Sequence, residues 1–141
     1  MAVEIKRVYD LPTPQDGVRV LVDRLWPRGL TKQAAALDAW LKDLAPSTGL
    51  RQWFHARPSM WRQFRQRYLE ELRAPEAHQP LQQLYDLLAK GATLTLVFAS
   101  RDTEHNSAVV LKELLEGIRK PPSSSGPAKA TSVPMRARAR R

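Results

Sequence analysis

The chain has 141 residues, enough for one domain with a single hydrophobic core, since domains typically run to about 100–150 residues. Its hydrophobic fraction of 43% and charged fraction of 26% are typical of globular proteins. The absence of cysteine excludes disulfides, thiolate metal sites and cysteine nucleophiles. No stretch has the roughly 20 apolar residues of a membrane span, and the N-terminus lacks a signal-peptide pattern, so we expect a cytoplasmic protein with no membrane partner.

The net charge of +9 is concentrated at the C-terminus. Residues 120–141 contain six basic residues and no acidic one, whereas residues 1–119 contain 17 basic and 14 acidic residues. Pro, Ser, Gly and Ala dominate residues 121–134, which predicts a disordered basic tail at 120–141 after an α/β domain at 1–119. The tail is either a weak polyanion-binding arm or a solubilising terminus.

Two strands are predicted first along the chain. Residues 3–9 begin with alternating apolar and polar side chains, which indicates a strand with one wetter face. After the turn signal Asp16-Gly17, residues 18–25 contain the apolar run Val20-Leu21-Val22. A continuous apolar run indicates burial on both faces of the strand, as in a parallel sheet.

Helical segments come next, each with a capping or stopping signal. The predicted segments are 32–37 behind Thr31, 38–44 before Pro46, 50–56 behind Ser47 or Thr48, and 59–73 opened by Ser59. A further helix has Pro80 in its first turn and Gly91 past its end. A strand at 93–98 and a helix at 104–118 complete the domain.

This order predicts an α/β fold with a small, mainly parallel sheet flanked by helices in a single domain. Because parallel strands need crossover connections, we expect the strands at 18–25 and 93–98 to run parallel. Ligands of open parallel sheets bind beyond the carboxyl ends of the strands. The segments that follow these two strands, 23–29 and 100–106, are therefore the candidate site.

Both segments place arginine and aspartate directly after an apolar strand, and the second leads into a helix N-terminus, which favours anions. The candidate ligand-binding residues are Arg24, Trp26, Arg28, Arg101 and Asn106. The arginines are the best anion contacts because guanidinium is always charged and binds carboxylate or phosphate in a bidentate manner.

Structural roles compete with each of these assignments. Asp23 and Arg24 can pair with Arg101 and Asp102 across neighbouring strands, which would lock the sheet end and leave no site. Trp26 either walls a pocket or plugs the core at the strand end. Asn106 either contacts a ligand or caps the last helix, a role for which Thr103 competes.

Two side chains are candidates for catalysis. Asp23 and His55 are the candidates for acid or base in a hydrolase or transferase, with Asn106 orienting the substrate. Ser100 has no glycine-flanked elbow and no adjacent base. The three histidines lack the paired spacing of a metal site, and glycine-rich phosphate loops are absent, so we expect neither a metal nor another cofactor.

Several motifs resemble those of one known family. They are Lys6-Arg7-Val8-Tyr9-Asp10, the long run from Asp16 to Gly29, Pro46-Ser47, Leu50-Arg51 with Phe54-His55, and Ser100-Arg101-Asp102 with Asn106 and Ala108. Over residues 3–118 the chain resembles the YeaO-like family, a bacterial domain of unknown function. The resemblance implies a compact α/β fold and a cytosolic setting but no reaction. Relatives commonly carry lysine in place of Arg101, which suits an anion contact better than Schiff-base chemistry.

The leading functional hypothesis is a domain that binds a phosphorylated or other anionic small molecule at the loops after the two main strands. One alternative is a hydrolase or transferase that uses the same pocket. The other is a nucleic-acid-binding accessory protein that uses the tail and a basic helical face made of Arg51, Arg57, Arg62, Arg65 and Arg67.

Overall fold

The computed structural model describes residues 3–119, so the predicted tail at 120–141 lies outside the described residues. Four strands and five α-helices occur in this part of the chain. In order they are β1 (Val3–Arg7), β2 (Val18–Leu21), α1 (Lys32–Ala35), β3 (Ala39–Trp40), α2 (Thr48–Ala56), α3 (Trp61–Glu71), α4 (Pro75–Ala89), β4 (Leu94–Phe98) and α5 (Ser107–Arg119). Within residues 3–119, no helix is long and apolar enough to cross a membrane.

All four strands run parallel in one sheet of order β1-β4-β2-β3. Val3 of β1 and Val18 of β2 are both in register with Leu94, so β4 lies between these two strands. All five residues of β4 are buried. The α/β class and the parallel pairing of the two apolar strands are therefore confirmed.

The alternation of side chains along β4 divides the core between the two faces of the sheet. Leu94, Leu96 and Phe98 pack in the larger cluster, which includes residues of α2, α3, α4 and α5. Val97 packs in a smaller cluster on the other face with Val8, Leu21 and Ala35, covered by tryptophans and the loop after β2. Burying each of these Leu or Val side chains contributes about 1.5–3 kcal/mol.

The helix predicted at 38–44 is wrong. Ala39–Trp40 forms the edge strand β3 beside β2, and Lys42–Leu44 forms a short 3-10 helix. The Asp38 carboxylate accepts the backbone N–H of Arg19 at 2.8 Å, and the Leu41 N–H donates to the Leu21 carbonyl oxygen at 3.0 Å. These bonds come from residues about 20 positions away, so local helical propensity was outweighed by pairing with β2.

Helix α4 begins five residues earlier than predicted. Pro75 occupies its first position, where a missing N–H costs nothing, and Pro80 lies inside the helix. Pro80 removes one backbone hydrogen bond near the start of α4. Thr31 and Ser47 cap α1 and α2 as predicted, accepting N–H groups at 3.0 and 3.1 Å, whereas α3 starts after Met60 and has no side-chain cap from Ser59.

A buried ion pair joins Asp16, which precedes β2, to Arg19 within β2. Arg19, which is 3% exposed, donates to the Asp16 carboxylate at 2.7 Å and to the Ala35 carbonyl oxygen at 2.8 Å. Lys6 and Thr13 also donate to this carboxylate. Burial favours the neutral acid, but the hydrogen bonds from these residues outweigh it and lower the pKa of Asp16 to about 2.

We expect Asp16→Asn to destabilise the fold by about 3 kcal/mol, because it leaves the buried Arg19 without its counter-charge. The free energy of unfolding, measured by urea titration at neutral pH, tests this expectation. The lowered pKa of Asp16 also means that its stabilising contribution is present above its usual value of 3.8 and lost as the pH falls towards about 2. Asp10→Asn, at an exposed aspartate, is the control. This variant should be as stable as the parent at neutral pH and should lose stability at low pH as the parent does. Equal stability of the two variants would contradict the role of the buried pair.

Gly17 is required where the chain enters β2. Its φ of 63° is unfavourable for other residues, and a Cβ at this position would lie 2.4 Å from the Thr93 carbonyl oxygen. That oxygen accepts the Val18 N–H at 2.9 Å, so it cannot move away without breaking the pairing of β2 with β4.

We therefore expect Gly17→Ala to lower the free energy of unfolding by about 2 kcal/mol or more. Gly49→Ala is the matched control, since nothing lies within 4 Å of a Cβ at that position in α2. Thermal unfolding followed by circular dichroism should show a lower Tm for the first variant and an unchanged or higher Tm for the second. A Gly17→Ala protein as stable as the parent would show that this contact relaxes freely.

Candidate functional site

Because the strands are parallel, the loops that follow β1, β2 and β4 leave the same edge of the sheet. They border a cavity of about 630 Å³, which is closed on its other side by α2 and by Phe64 of α3. Residues 23–28 and the segment from Ala99 to Ser107 supply most of its wall. The two segments singled out from the sequence therefore do meet at one place.

The loop after β2 is held by hydrogen bonds to its backbone. The Trp40 indole N–H donates to the Asp23 carbonyl oxygen at 2.7 Å. The Tyr9 hydroxyl donates to the Arg28 carbonyl oxygen at 2.9 Å. Trp26 donates its indole N–H to the Leu30 carbonyl oxygen at 2.6 Å, and its ring meets the Trp40 ring edge-on at 5.3 Å. Trp26 is half-buried: it packs against the smaller core cluster and also lines the cavity.

The loop after β4 is tied to both neighbouring strands. The Asp23 carboxylate accepts the Ala99 N–H at 2.8 Å. From β1, the Arg7 guanidinium donates to the carbonyl oxygens of Ala99 and Ser100 at 3.1 and 3.0 Å. These bonds fix the relative position of the two cavity walls.

Asp23 lines the cavity and is largely withdrawn from solvent. Burial raises the pKa of its carboxyl group, and the Ala99 N–H and the positive charge of Arg51 offset this effect only in part. Asp23 therefore takes up a proton more readily than an exposed aspartate does.

Arg24 is partly committed to the fold. Its Nε and Nη2 donate to the carbonyl oxygens of Pro46 and Ala45, both at 3.2 Å, which ties the loop after β2 to the segment before α2. Among residues 3–119 Arg24 forms no ion pair with Asp102, and Asp23 forms none with Arg101. The pairing that would have closed the site is not formed.

Arg101 is exposed and does not line the cavity, unlike the other four predicted ligand-binding residues. The neighbouring Asp102 carboxylate turns back on its own loop, where it accepts the N–H groups of Glu104 and His105 at 2.9 and 3.0 Å. The Glu104 N–H contributes most to a lowered pKa of Asp102.

Two arginines on the cavity wall have uncommitted guanidinium groups. In the described part of the chain, neither Arg28 nor Arg51 forms a side-chain hydrogen bond or an ion pair. Arg51 lies on the same face of α2 as Phe54 and His55, three and four residues later, and all three line the cavity. From the sequence, Arg51 belongs both to the basic helical face and to the family motif that contains Phe54 and His55, and its spacing from His55 indicates a shared face.

Asn106 takes the capping role. Its side-chain oxygen accepts the Val109 N–H at 3.1 Å at the start of α5, and its amide nitrogen donates to the Asp102 carbonyl oxygen at 2.8 Å. Asn106 is 6% exposed and lies on the cavity wall. Helix α5 consequently begins at Ser107 rather than near 104, because residues 102–106 form the turn that this side chain closes.

The catalytic candidates His55 and Asp23 both line the cavity, and no hydrogen bond joins them. The Ser100 hydroxyl accepts the Asp102 N–H at 3.1 Å, and no histidine within the described range contacts that hydroxyl. The described residues also contain no group of three or more side chains that could hold a metal ion. Within the described residues, no hydrogen bond joins the Ser100 hydroxyl to a histidine.

The other arginines of the predicted basic face have separate roles. Arg65 pairs with Glu113 at 2.8 Å. The guanidinium groups of Arg57 and Arg67 lie 5.5 and 4.2 Å from the centroid of the Trp53 ring. Arg57 and Arg67 thus share one tryptophan, whereas Arg65 has a carboxylate partner and Arg51 lines the cavity.

Comparison with known proteins identifies the family. Residues 2–133 match the family described as the inactive DUF488-N3 subclade. The chain is 44% identical over 118 residues to the uncharacterised protein YeaO of Escherichia coli K12, which covers 84% of this chain and all of that protein. It is 42% identical over 115 residues to the uncharacterised protein Rv3073c of Mycobacterium tuberculosis H37Rv, covering 82% and 94%. No solved structure matches the chain significantly. The chain therefore belongs to the YeaO-like proteins of the inactive DUF488-N3 subclade.

Proposed function

We propose that the protein binds a phosphorylated or other anionic small molecule in the cavity at the carboxyl edge of the sheet. The observation that carries this proposal is that Arg28 and Arg51 line one cavity with guanidinium groups that no described carboxylate neutralises within ion-pair distance. Guanidinium groups bind phosphate and carboxylate through paired, charge-assisted hydrogen bonds, and this is their commonest use in ligand sites.

The charges around the cavity support an anionic ligand. Arg24 adds a third positive charge, whereas the two aspartates of the wall are Asp23 and Asp102. The Asp23 carboxylate accepts the Ala99 N–H, and the Asp102 carboxylate is turned towards its own loop. The volume of about 630 Å³ lies within the range of about 300–1,000 Å³ that is usual for small-molecule sites.

Binding has more support than catalysis. The matching family is described as an inactive subclade, and Ser100 has no general base beside it in the described structure. Asp23 uses its carboxylate to join the loops of β2 and β4. The hydrolase or transferase alternative consequently rests on His55 alone, which is exposed on α2.

Nucleic-acid binding has less support still, because the arginines of α2 and α3 are divided among different contacts. The remaining support for nucleic-acid binding is the basic tail, which lies outside the described residues.

The domain boundary at residue 119 and the cytoplasmic location stay predictions.

Calorimetric titration of the purified full chain with inorganic phosphate, sugar phosphates and nucleoside monophosphates tests the proposed function. We expect at least one of these anions to bind, and Arg28→Ala or Arg51→Ala to weaken that binding about tenfold or more, because each removes a charged hydrogen-bonding partner. Arg62→Ala is the matched control, since Arg62 is exposed on α3 and does not line the cavity.

The proposal fails if none of the anions binds. It also fails if the two cavity variants bind as tightly as the Arg62→Ala control. Circular dichroism of each variant establishes that the fold is retained.

A further inference from the structure

One wall of the cavity is aromatic. Phe54, Phe64 and His105 line it, and Trp61 packs behind them with ring centroids 5.8, 5.6 and 4.9 Å from theirs. Phe54 and Phe64 are stacked, with centroids 4.4 Å apart and planes inclined by 20°. We call this surface, Phe54, Phe64 and His105 backed by Trp61, the aromatic wall.

The aromatic wall is held firmly from behind. Phe64, which is 3% exposed, stacks on Tyr68 with centroids 5.7 Å apart. Tyr68 is fully buried, and its hydroxyl donates to the Leu44 carbonyl oxygen. Phe54 is only half-buried, so part of its ring remains open to the cavity. Aromatic rings pair by stacking, so the Phe54 ring offers a surface for a planar ligand.

The aromatic wall and a free arginine belong to the same helix. Arg51 and Phe54 lie three residues apart on one face of α2, a rise of about 4.5 Å along the helix axis. A ligand ring on Phe54 therefore needs only a short linker to bring an anionic group to the Arg51 guanidinium. Arg28, on the loop after β2, lines the same cavity and supplies a second guanidinium group.

The size of the cavity argues against a lone inorganic anion. One water molecule occupies about 30 Å³ in the liquid, so phosphate or sulfate alone would leave most of the 630 Å³ to water against phenylalanine rings. An organic ligand removes this apolar surface from water, which is the larger source of affinity in most small-molecule sites.

We propose that the ligand is a planar aromatic ring joined through a short linker to a phosphate or carboxylate group, as in a nucleoside monophosphate, with the ring on the aromatic wall and the anion between Arg28 and Arg51. This inference rests on the proposed function and specifies its ligand class.

The test compares matched probes on the full chain by calorimetry. Adenosine 5′-monophosphate carries ring, pentose and phosphate, ribose 5-phosphate lacks the ring, and adenosine lacks the phosphate. We expect the monophosphate to bind about tenfold or more tightly than either fragment, because base stacking on an aromatic side chain and the charged contact each contribute affinity. Guanosine, cytidine and uridine monophosphates extend the comparison to other rings.

Two substitutions locate the ring. Phe54→Leu keeps an apolar side chain but removes the stacking surface, so it should weaken monophosphate binding several-fold and leave ribose 5-phosphate binding unchanged. Phe54→Tyr keeps the ring and should retain affinity. If Phe54→Leu does not fold, the probe comparison on the unmodified protein decides the question.

The possible failures are distinguishable. Ribose 5-phosphate binding as tightly as all four monophosphates would overturn the aromatic ligand class and leave anion binding intact. Equal affinity of the Phe54→Leu and Phe54→Tyr variants for the monophosphate would also overturn the placement of the ring. If no probe binds at all, the proposed function fails and this inference fails with it.

Discussion

The architecture depends on β4, a fully buried strand that pairs in parallel with a neighbour on each side. Because parallel strands share one direction, the loops after β1, β2 and β4 are forced to the same edge of the sheet. Gly17 and the buried pair of Asp16 with Arg19 of β2 stabilise the start of this strand in the sheet. The same pairing that forms the core therefore also creates the cavity at the carboxyl edge.

Arginines around that cavity divide into two groups by what they contact. Arg7 and Arg24 donate to backbone carbonyl oxygens and hold the loops in place. Arg28 and Arg51 have no such acceptors in the described structure and stay available to a ligand. Charge alone does not separate a structural arginine from a binding one, because the difference lies in whether carbonyl groups lie within reach.

Two polar side chains of the cavity wall have structural contacts in the described part of the chain. Side chains that would serve as acid, base or orienter in an enzyme are used to connect loops or to cap helices, as Asp23 and Asn106 show. A site built from loops joined in this way is preorganised, which favours binding because little ordering entropy is lost when a ligand enters. The inactive description of the family agrees with such a role.

Local patterns in the sequence determined a large part of this protein. The apolar run Val20-Leu21-Val22 marked a buried parallel strand, and Thr31 and Ser47 marked helix starts, because these signals act between neighbouring residues. Only the tertiary structure decided that Ala39–Trp40 is a strand, that Arg51 faces the cavity and that Arg101 does not. A two-residue strand exists only through its partner, and whether an arginine lines the cavity depends on which distant segments pack beside it, so neither is encoded in local sequence.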